Sequence, residues 1–482
     1  MNNLHSLLRK RQGEAVPEVD AALSTMNLAD TTFILLCTFL VFIITPGIGM
    51  FYGGMLRRKN ILTILFQTYA ITAVITIQWY LMGYSLATSP TGGVFYGNFR
   101  YGALQNMNEE PMLQGDGTIP EMLYWAFSCF FPVCTVQIFV GAIAERGRLL
   151  PSLVVGFIWV TIVYCPLAYW SWGGDGWLAE LGSLDFAGGG PVHIASGVAA
   201  LSYSLFIGKR KDLVDIDGKK KLPKFRPKDP FMVFLGATLI WFGWLAFNSG
   251  TLIAVNVRTA YILTNTHLAA CVGVTVWITL DRVLTGRFSI VGACEGAIAG
   301  LVAITPSCGY VEPWAAFICA AITAAVCRLS HNFNNWVGID DTIEAFNLHG
   351  LGGIVGGILL AFFASPRVSS LDGSDPIDGG WVAHHWIQLG YQLADICSVT
   401  AWSFVLTYVI CFCVNFIPGL HLRVSPEEEE AGMDLLEIHE IGGVYDEEPG
   451  FPQIYGQDSG TGTAVGGSIA NSATGVDSAQ KV

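Results

Sequence analysis

Apolar residues in this chain run in long blocks separated by short polar stretches, with neither a helical stripe nor a strand alternation inside them. Eleven blocks can be marked off, at 31–55, 61–88, 122–144, 149–171, 186–207, 230–252, 259–280, 289–305, 311–327, 345–364 and 391–418. About 20 apolar residues in helical conformation cross a ~30 Å hydrocarbon core. The eighth and ninth blocks are the short ones. The pattern predicts an all-α polytopic membrane protein with eleven transmembrane helices. Residues 1–30 are polar, and the first block is long and followed by Arg57, Arg58 and Lys59, so no cleavable signal peptide is expected.

Composition supports this reading. Of 482 residues, 52% are hydrophobic and 13% charged, where a soluble domain carries about 25% charged residues. That balance excludes a soluble globular protein, a disordered chain and a nucleic-acid binder, and makes the lipid bilayer the first expected partner. The net charge of −13 is uneven, because residues 421–482 hold 12 acids and 2 bases. Four segments follow: an extracellular N-terminal segment 1–30, a transmembrane domain 31–418, an ordered cytoplasmic segment 419–440, and a disordered acidic, Gly- and Ser-containing tail 441–482.

Lysine and arginine set the orientation. Odd-numbered loops hold 17 of them and even-numbered loops 3, which places the odd loops and the C-terminus in the cytoplasm and the N-terminus outside. Loop five dominates, from Lys209, Arg210 and Lys211 to Lys228, and reads as a topology anchor beside anionic lipid. Arg9, Lys10 and Arg11 mildly oppose the rule from a distal tail. The outer loops and their edges carry Glu109, Glu110, Asp116, Glu121, Asp175, Glu180, Glu312, Asp372, Asp375 and Asp378. These acids either concentrate a cation or simply keep the loops soluble. The 12 cysteines contain no CxxC spacing and lie mostly in apolar blocks, so they read as small buried apolar residues.

A motif occurs twice. Asp185-x7-His193-x3-Gly197 is matched by Asp341-x7-His349-x3-Gly353, and Gly-Ala-Ile-Ala recurs at 141–144 and 296–299. Each histidine element opens a fifth block, counted from block one or from block six. Blocks 1–5 and 6–10 therefore read as two copies of a five-helix unit. Because five is odd, the copies enter the membrane from opposite sides: an inverted 5+5 repeat plus one extra helix, with a path near the repeat interface.

His193 and His349 are the sharpest candidates, since an ionisable residue at membrane depth points to function. The repeat brings the two rings together, where one can donate N–H to the other. A metal site needs more ligands than these two supply at any sensible spacing, and no nucleophile accompanies them, so neither a metal, a cofactor nor an enzyme is expected. Asp185 and Asp341 precede their helices and read as helix-start caps, with cation binding open as an alternative for Asp185. Aromatics gather at outer block ends: Trp125, Phe127, Phe130, Phe131, Trp170, Trp172, Trp241, Trp244 and Phe247. They suit interface anchoring, and a subset facing a pore would bind a small cation on ring faces. Thr251, four residues after Phe247, adds a hydroxyl on the same face.

These segments together carry a resemblance. Asp185-Phe-Ala-Gly-Gly-Gly-Pro-Val-His193-Ile-Ala-Ser-Gly, Val140-Gly-Ala-Ile-Ala-Glu-Arg146, Gly243-Trp-Leu-Ala-Phe-Asn-Ser-Gly250, Gly296-Ala-Ile-Ala-Gly-Leu-Val302 and His349-Gly-Leu-Gly-Gly353 resemble the ammonium transporter family (Amt, Mep and Rh proteins), most of all its fungal permeases. The likeness runs from about residue 30 to 440. It implies ammonium and methylammonium as substrates, a homotrimer with one pore per subunit, and a plasma-membrane location. Matched position by position, it implies an external recruitment site of Phe127, Phe131, Trp172 and Thr251, a gate of Phe131 and Phe247, a twin-histidine pair of His193 and His349, and a structural Asp185 beneath the recruitment site. Many members have Ser where this chain has Thr251. Some fungal members replace the first histidine with Glu, and this chain keeps His193, which resembles the twin-histidine subgroup with its sensor role. The likeness also implies that residues 419–440 pack under the pores. It implies kinase or regulatory contact at the tail, where Ser459 and Ser468 lack preceding basic residues.

Overall fold

The computed structural model describes residues 26–107, 118–211, 227–331 and 333–440. Arg9 to Arg11, the acids Glu109, Glu110 and Asp116, much of loop five, and the tail with Ser459 and Ser468 lie outside the described residues. Within them the chain is helical, and one isolated antiparallel bridge joins Gly147 to Arg423.

Nine helices among the described residues are long and apolar enough to cross a membrane. They are α1 (Leu28–Met55), α2 (Arg58–Thr88), α3 (Glu121–Gly141), α4 (Leu149–Leu181), α5 (Gly189–Ile207), α6 (Pro230–Gly250), α7 (Val257–Thr285), α10 (Phe346–Phe363) and α11 (Gln388–Asn415). The two short blocks correspond to shorter apolar helices, α8 (Ile290–Ile304) and α9 (Pro313–Leu329). Twelve of the fifteen residues of α8 are buried, and its Gly- and Ala-rich sequence lets neighbouring backbones approach closely. Large apolar side chains such as Phe39, Phe231, Phe242 and Phe317 instead stand on the outside. That arrangement suits a lipid solvent and would be a liability in water.

Local chemistry explains where the helices begin and end. Asn27 accepts from the backbone N–H groups of Ala29 and Asp30, so α1 starts ahead of the apolar block. Asp30 is buried and accepts from Val255 N–H at 2.8 Å. Asn256 and Thr259 form a capping box at the start of α7, and Gly286, at φ 74°, ends it. Helix α11 stops at Asn415 because Pro418 and Gly419 (φ 85°) follow. Most cysteines are buried as expected, whereas Cys397 and Cys413 are exposed on α11.

The odd-loop end of the bundle is closed by buried charge. Glu145, at φ 73°, accepts from Arg57 N–H at 2.8 Å and from Arg210 Nη1 at 2.6 Å. Asp340 accepts from Arg210 N–H and Nε at 2.9 Å each and from Nη2 at 2.8 Å. Arg146 is fully buried and donates to Gly208 O at 2.8 Å, to Thr342 Oγ1 at 2.9 Å and to Asp340 O. Burial alone would push the Asp340 carboxyl up, but Arg146 and Arg210 outweigh it and hold it down at about 2. Glu145 is likewise pushed up by burial and pulled lower overall by Arg210 and Arg57.

The segment after α11 packs against this end. Arg423 donates to Ile207 O at 2.7 Å and to Lys209 O at 2.6 Å. Asp434 accepts from Thr63 N–H at 2.7 Å and from Leu62 N–H at 3.1 Å near the start of α2.

Candidate functional site

Two cavities lie in line, one above the other, with a pair of phenyl rings between them. Helix α3 carries Phe127 and Phe131 one turn apart, with centroids 5.4 Å apart and edge to face. Helix α6 brings Phe247 flat against Phe131, stacked at 4.0 Å. Trp172, at the turn late in α4, meets Phe131 edge-on at 6.1 Å. Thr251 sits one turn beyond Phe247 and donates its hydroxyl proton to Phe247 O at 2.9 Å. With that proton engaged, its oxygen lone pairs remain as acceptors.

The outer cavity holds about 240 Å³ and is lined by Phe127, Phe131, Trp172, Thr251 and Asp185, together with Tyr124, Arg258 and Tyr310. The inner cavity holds about 30 Å³, space for one or two molecules the size of water. Its walls are Ile44, Ile48, Val192, Ile240, Ile298 and other apolar side chains, with Phe247, Trp244, His193 and His349. Phe131 lines the outer space and Phe247 the inner one, so the stacked pair is the partition.

The histidines face each other in the inner cavity. Their Nδ1 atoms are 3.2 Å apart, a contact that needs one donor and one acceptor. Trp244 stacks on His193 at 5.0 Å and donates Nε1–H to Thr305 Oγ1 at 3.0 Å, which fixes the indole. His193 Nε2 is buried and makes no hydrogen bond among the described residues.

Each part of the doubled motif has a physical job in this arrangement. Both histidines sit in wide helical turns, Gly189–Ile194 and Phe346–Leu351, a local unwinding frequent at functional sites. Asp185 accepts from Gly188 and Gly189 N–H at 2.8 Å and from Gly190 N–H at 2.7 Å, capping the start of α5. Asp341 accepts from Phe346 N–H at 2.8 Å ahead of α10. Gly197 lets α5 touch the other histidine element, since a Cβ there would lie 2.1 Å from Gly350 N. Gly353 does the reverse, where a Cβ would lie 2.9 Å from the Ile194 side chain.

Not every expected aromatic reaches the path. Phe130 packs on Phe42, Trp170 on Phe95, Trp177 and Trp402, and Trp241 on His267. The outer acids are less free than their sequence suggests. Arg367 donates to Glu312 at 2.8 Å, Tyr84 donates to Glu121, and Arg258 donates to Asp372 at 2.7 Å. Residues that pattern reading passed over include Arg258, Tyr124 and Tyr310, and also Asp395 on α11. Asp395 Oδ1 is buried without a hydrogen-bond partner, and a Cβ on Gly190 would lie 3.2 Å from it and 3.4 Å from Asp185 Oδ2. Among the described residues no group of three His, Cys, Asp or Glu side chains is arranged to hold a metal ion.

Comparison with known proteins agrees on one family. The model of the Ammonium Transporter Family matches residues 32–442. Ammonium transporter 3 of Schizosaccharomyces pombe is 46% identical over 91% of this chain and 93% of its own length. The crystal structure of Candida albicans Mep2 superposes with a TM-score of 0.79 at 41% identity, covering 84% of this chain and 88% of that one. A solved structure named Sensor Amt Protein matches at a TM-score of 0.77 and 26% identity, over 85% of this chain and 98% of the other. By sequence and by fold, the chain belongs to the ammonium transporter family.

Proposed function

We propose that this chain moves ammonium across the plasma membrane by a path that runs from the outer cavity, past the Phe131–Phe247 pair, into the histidine-lined inner cavity. One observation carries the reading most: stacked phenyls stand between a space of about 240 Å³ whose aromatic walls carry some polar groups and an almost wholly apolar one of about 30 Å³ that holds two facing imidazoles. In this reading the chain has eleven spans, an inverted 5+5 repeat and one extra helix, with the N-terminus outside and the C-terminus cytoplasmic. It works as a homotrimer with a pore in each subunit.

Phe127, Phe131, Trp172 and Thr251 recruit the substrate. The ring faces favour a cation, and the Thr251 oxygen accepts an N–H. Potassium offers the charge but no N–H donor, so it gains only part of this binding. The ion gives up its proton, which passes along the hydrogen-bonded His193–His349 pair, and ammonia crosses the apolar space beside the two rings. A bare cation there would lose its hydration without replacement, at a cost of several kcal/mol. Asp185 has a structural part, holding the start of α5 so that His193 stays on the path.

The test is flux into liposomes that hold the purified chain, read as current and as internal pH under ammonium and potassium gradients. Saturable ammonium flux with little potassium current supports the scheme. Potassium currents equal to ammonium currents would sink it.

A second reading adds sensing to transport. It is supported by the likeness to the structure named Sensor Amt Protein and by the contacts of residues 423–434 with the loops beneath α2 and α5, a route by which path and tail regulation would communicate. Labelled methylammonium uptake by the chain in transport-deficient cells separates a transporter from a pure receptor.

A further inference from the structure

A cation transporter gains nothing from a fixed positive charge in its vestibule, yet Arg258 lines the outer cavity together with Thr251, Phe127 and Trp172. The arginine is buried and held by two hydrogen bonds and two ring faces. Its Nη1 donates to Asp372 at 2.7 Å and its Nε to Gly309 O at 2.9 Å. Its guanidinium lies over the rings of Phe186 and Tyr310, at 5.4 and 5.2 Å from their centroids. Asp372 is itself tied down, accepting from Ser374 N–H at 3.0 Å. Burial pushes the Asp372 carboxyl up, but its bonds from Arg258 and Ser374 outweigh that and hold it below its ordinary range. The two side chains are 9% and 10% exposed, so the pair stands at the cavity wall rather than out in bulk solvent.

We propose that Asp372 is an affinity-determining residue that acts through Arg258: its carboxylate cancels the arginine's charge, so Arg258 adds no repulsion toward an ammonium ion arriving in the cavity that Asp185 also lines. The proposal rests on the transport reading above. It links an acid on the loop between α10 and α11 to a site built from α3, α4 and α6. It also gives the pair a role that packing alone does not. A strap between loops would serve equally well with an uncharged hydrogen-bonding pair, whereas charge cancellation needs both members.

The test uses the full chain in liposomes at low ionic strength, with initial ammonium flux measured against ammonium concentration. Asp372→Asn keeps the shape and removes the charge. It is expected to raise KM about tenfold while the maximal rate changes little, and the effect is expected to shrink as salt is added. The double variant Arg258→Gln, Asp372→Asn removes both charges and is expected to return KM to within about threefold of the unaltered chain. A merely structural pair predicts instead a loss of folded protein or of maximal rate in Asp372→Asn, with no salt-dependent change in KM. An unchanged KM in Asp372→Asn, or a raised KM that persists in the double variant, overturns the proposal. Should Asp372→Asn fail to insert, Arg258→Gln alone decides: it leaves an uncompensated carboxylate and is expected to lower KM about threefold, and any other result overturns the idea. An unaltered chain with no saturable ammonium flux overturns the transport reading and this inference together. Saturable flux with an indifferent Asp372 overturns the inference alone.

Discussion

Above the Phe131–Phe247 stack lies a space of about 240 Å³ edged by a hydroxyl, an indole, tyrosines and a paired arginine. Below it lies about 30 Å³ enclosed by aliphatic and aromatic side chains, with two imidazoles among its few polar groups. The upper space can solvate and weigh a cation. The lower one offers little besides its imidazoles for that purpose, and in the proposed reading it admits what no longer needs a hydration shell. On that reading, recognition belongs to the upper space and exclusion to the lower, with the ring pair as the boundary between them.

Removing the histidines is the strongest way to break that contrast. In the double variant His193→Ala, His349→Ala the lower cavity enlarges and loses its polar groups, and the preference for ammonium flux over potassium current is expected to fall by about 100-fold, the effect of two lost buried interactions. Full and still selective uptake by that variant would dismiss the histidines as pore groups. Opening the boundary comes next. Phe131→Ala joins the two spaces and removes a ring face, and an increase of about tenfold in the KM for methylammonium is expected, from labelled uptake. Thr251→Ala touches only recognition: one hydrogen bond is lost, so KM is expected to rise about fivefold with the maximal rate kept, while Thr251→Ser stays near the unaltered chain.

The smallest effect on either cavity is expected at the opposite end of the bundle. Asp340 is held at about 2, against an ordinary 3.8, so its stabilising effect is complete above about pH 4 and fades as pH falls from there through about 2. Asp340→Asn leaves Arg146 and Arg210 without that countercharge and is expected to cost about 3 kcal/mol in thermal or denaturant unfolding at neutral pH. Selectivity is expected to remain that of the unaltered chain. A change in potassium current in this variant would show that the two cavities are not independent of the charged base.

The sequence makes some of this legible and hides the rest for identifiable reasons. His193 and His349 stand out because an imidazole inside an apolar block is rare, and the doubled Asp-x7-His-x3-Gly motif spaces a cap, a ring and a close contact along one helix start. Phe127, Phe131 and Phe247 are visible as aromatics, but nothing in their spacing separates them from Phe130, which packs on Phe42 instead. The resemblance made that separation. Arg258 was invisible as a site residue, because its meaning depends on Asp372, 114 positions away in the chain. Asp395 was hidden in the same way, since its neighbour across Gly190 comes from the Asp185 loop. Glu121, Glu312 and Asp372, counted among the outer acids, are each bonded to another side chain, which no pattern shows because pairing is a property of the fold. Block boundaries slipped where polar caps decide them, as at Asn27 and Asn256.

The contact at Gly197 bears on how such a molecule can move. With backbone against backbone there, α5 and α10 cannot slide or roll past one another without parting the surfaces that set the ring-to-ring distance. A rocking-bundle cycle that swings two halves about the substrate would have to break this contact at every turnover. The interlock favours a standing frame in which small parts move, a phenyl flip or a hydroxyl rotation, so that turnover is paced by local side-chain motion rather than by domain swings of milliseconds.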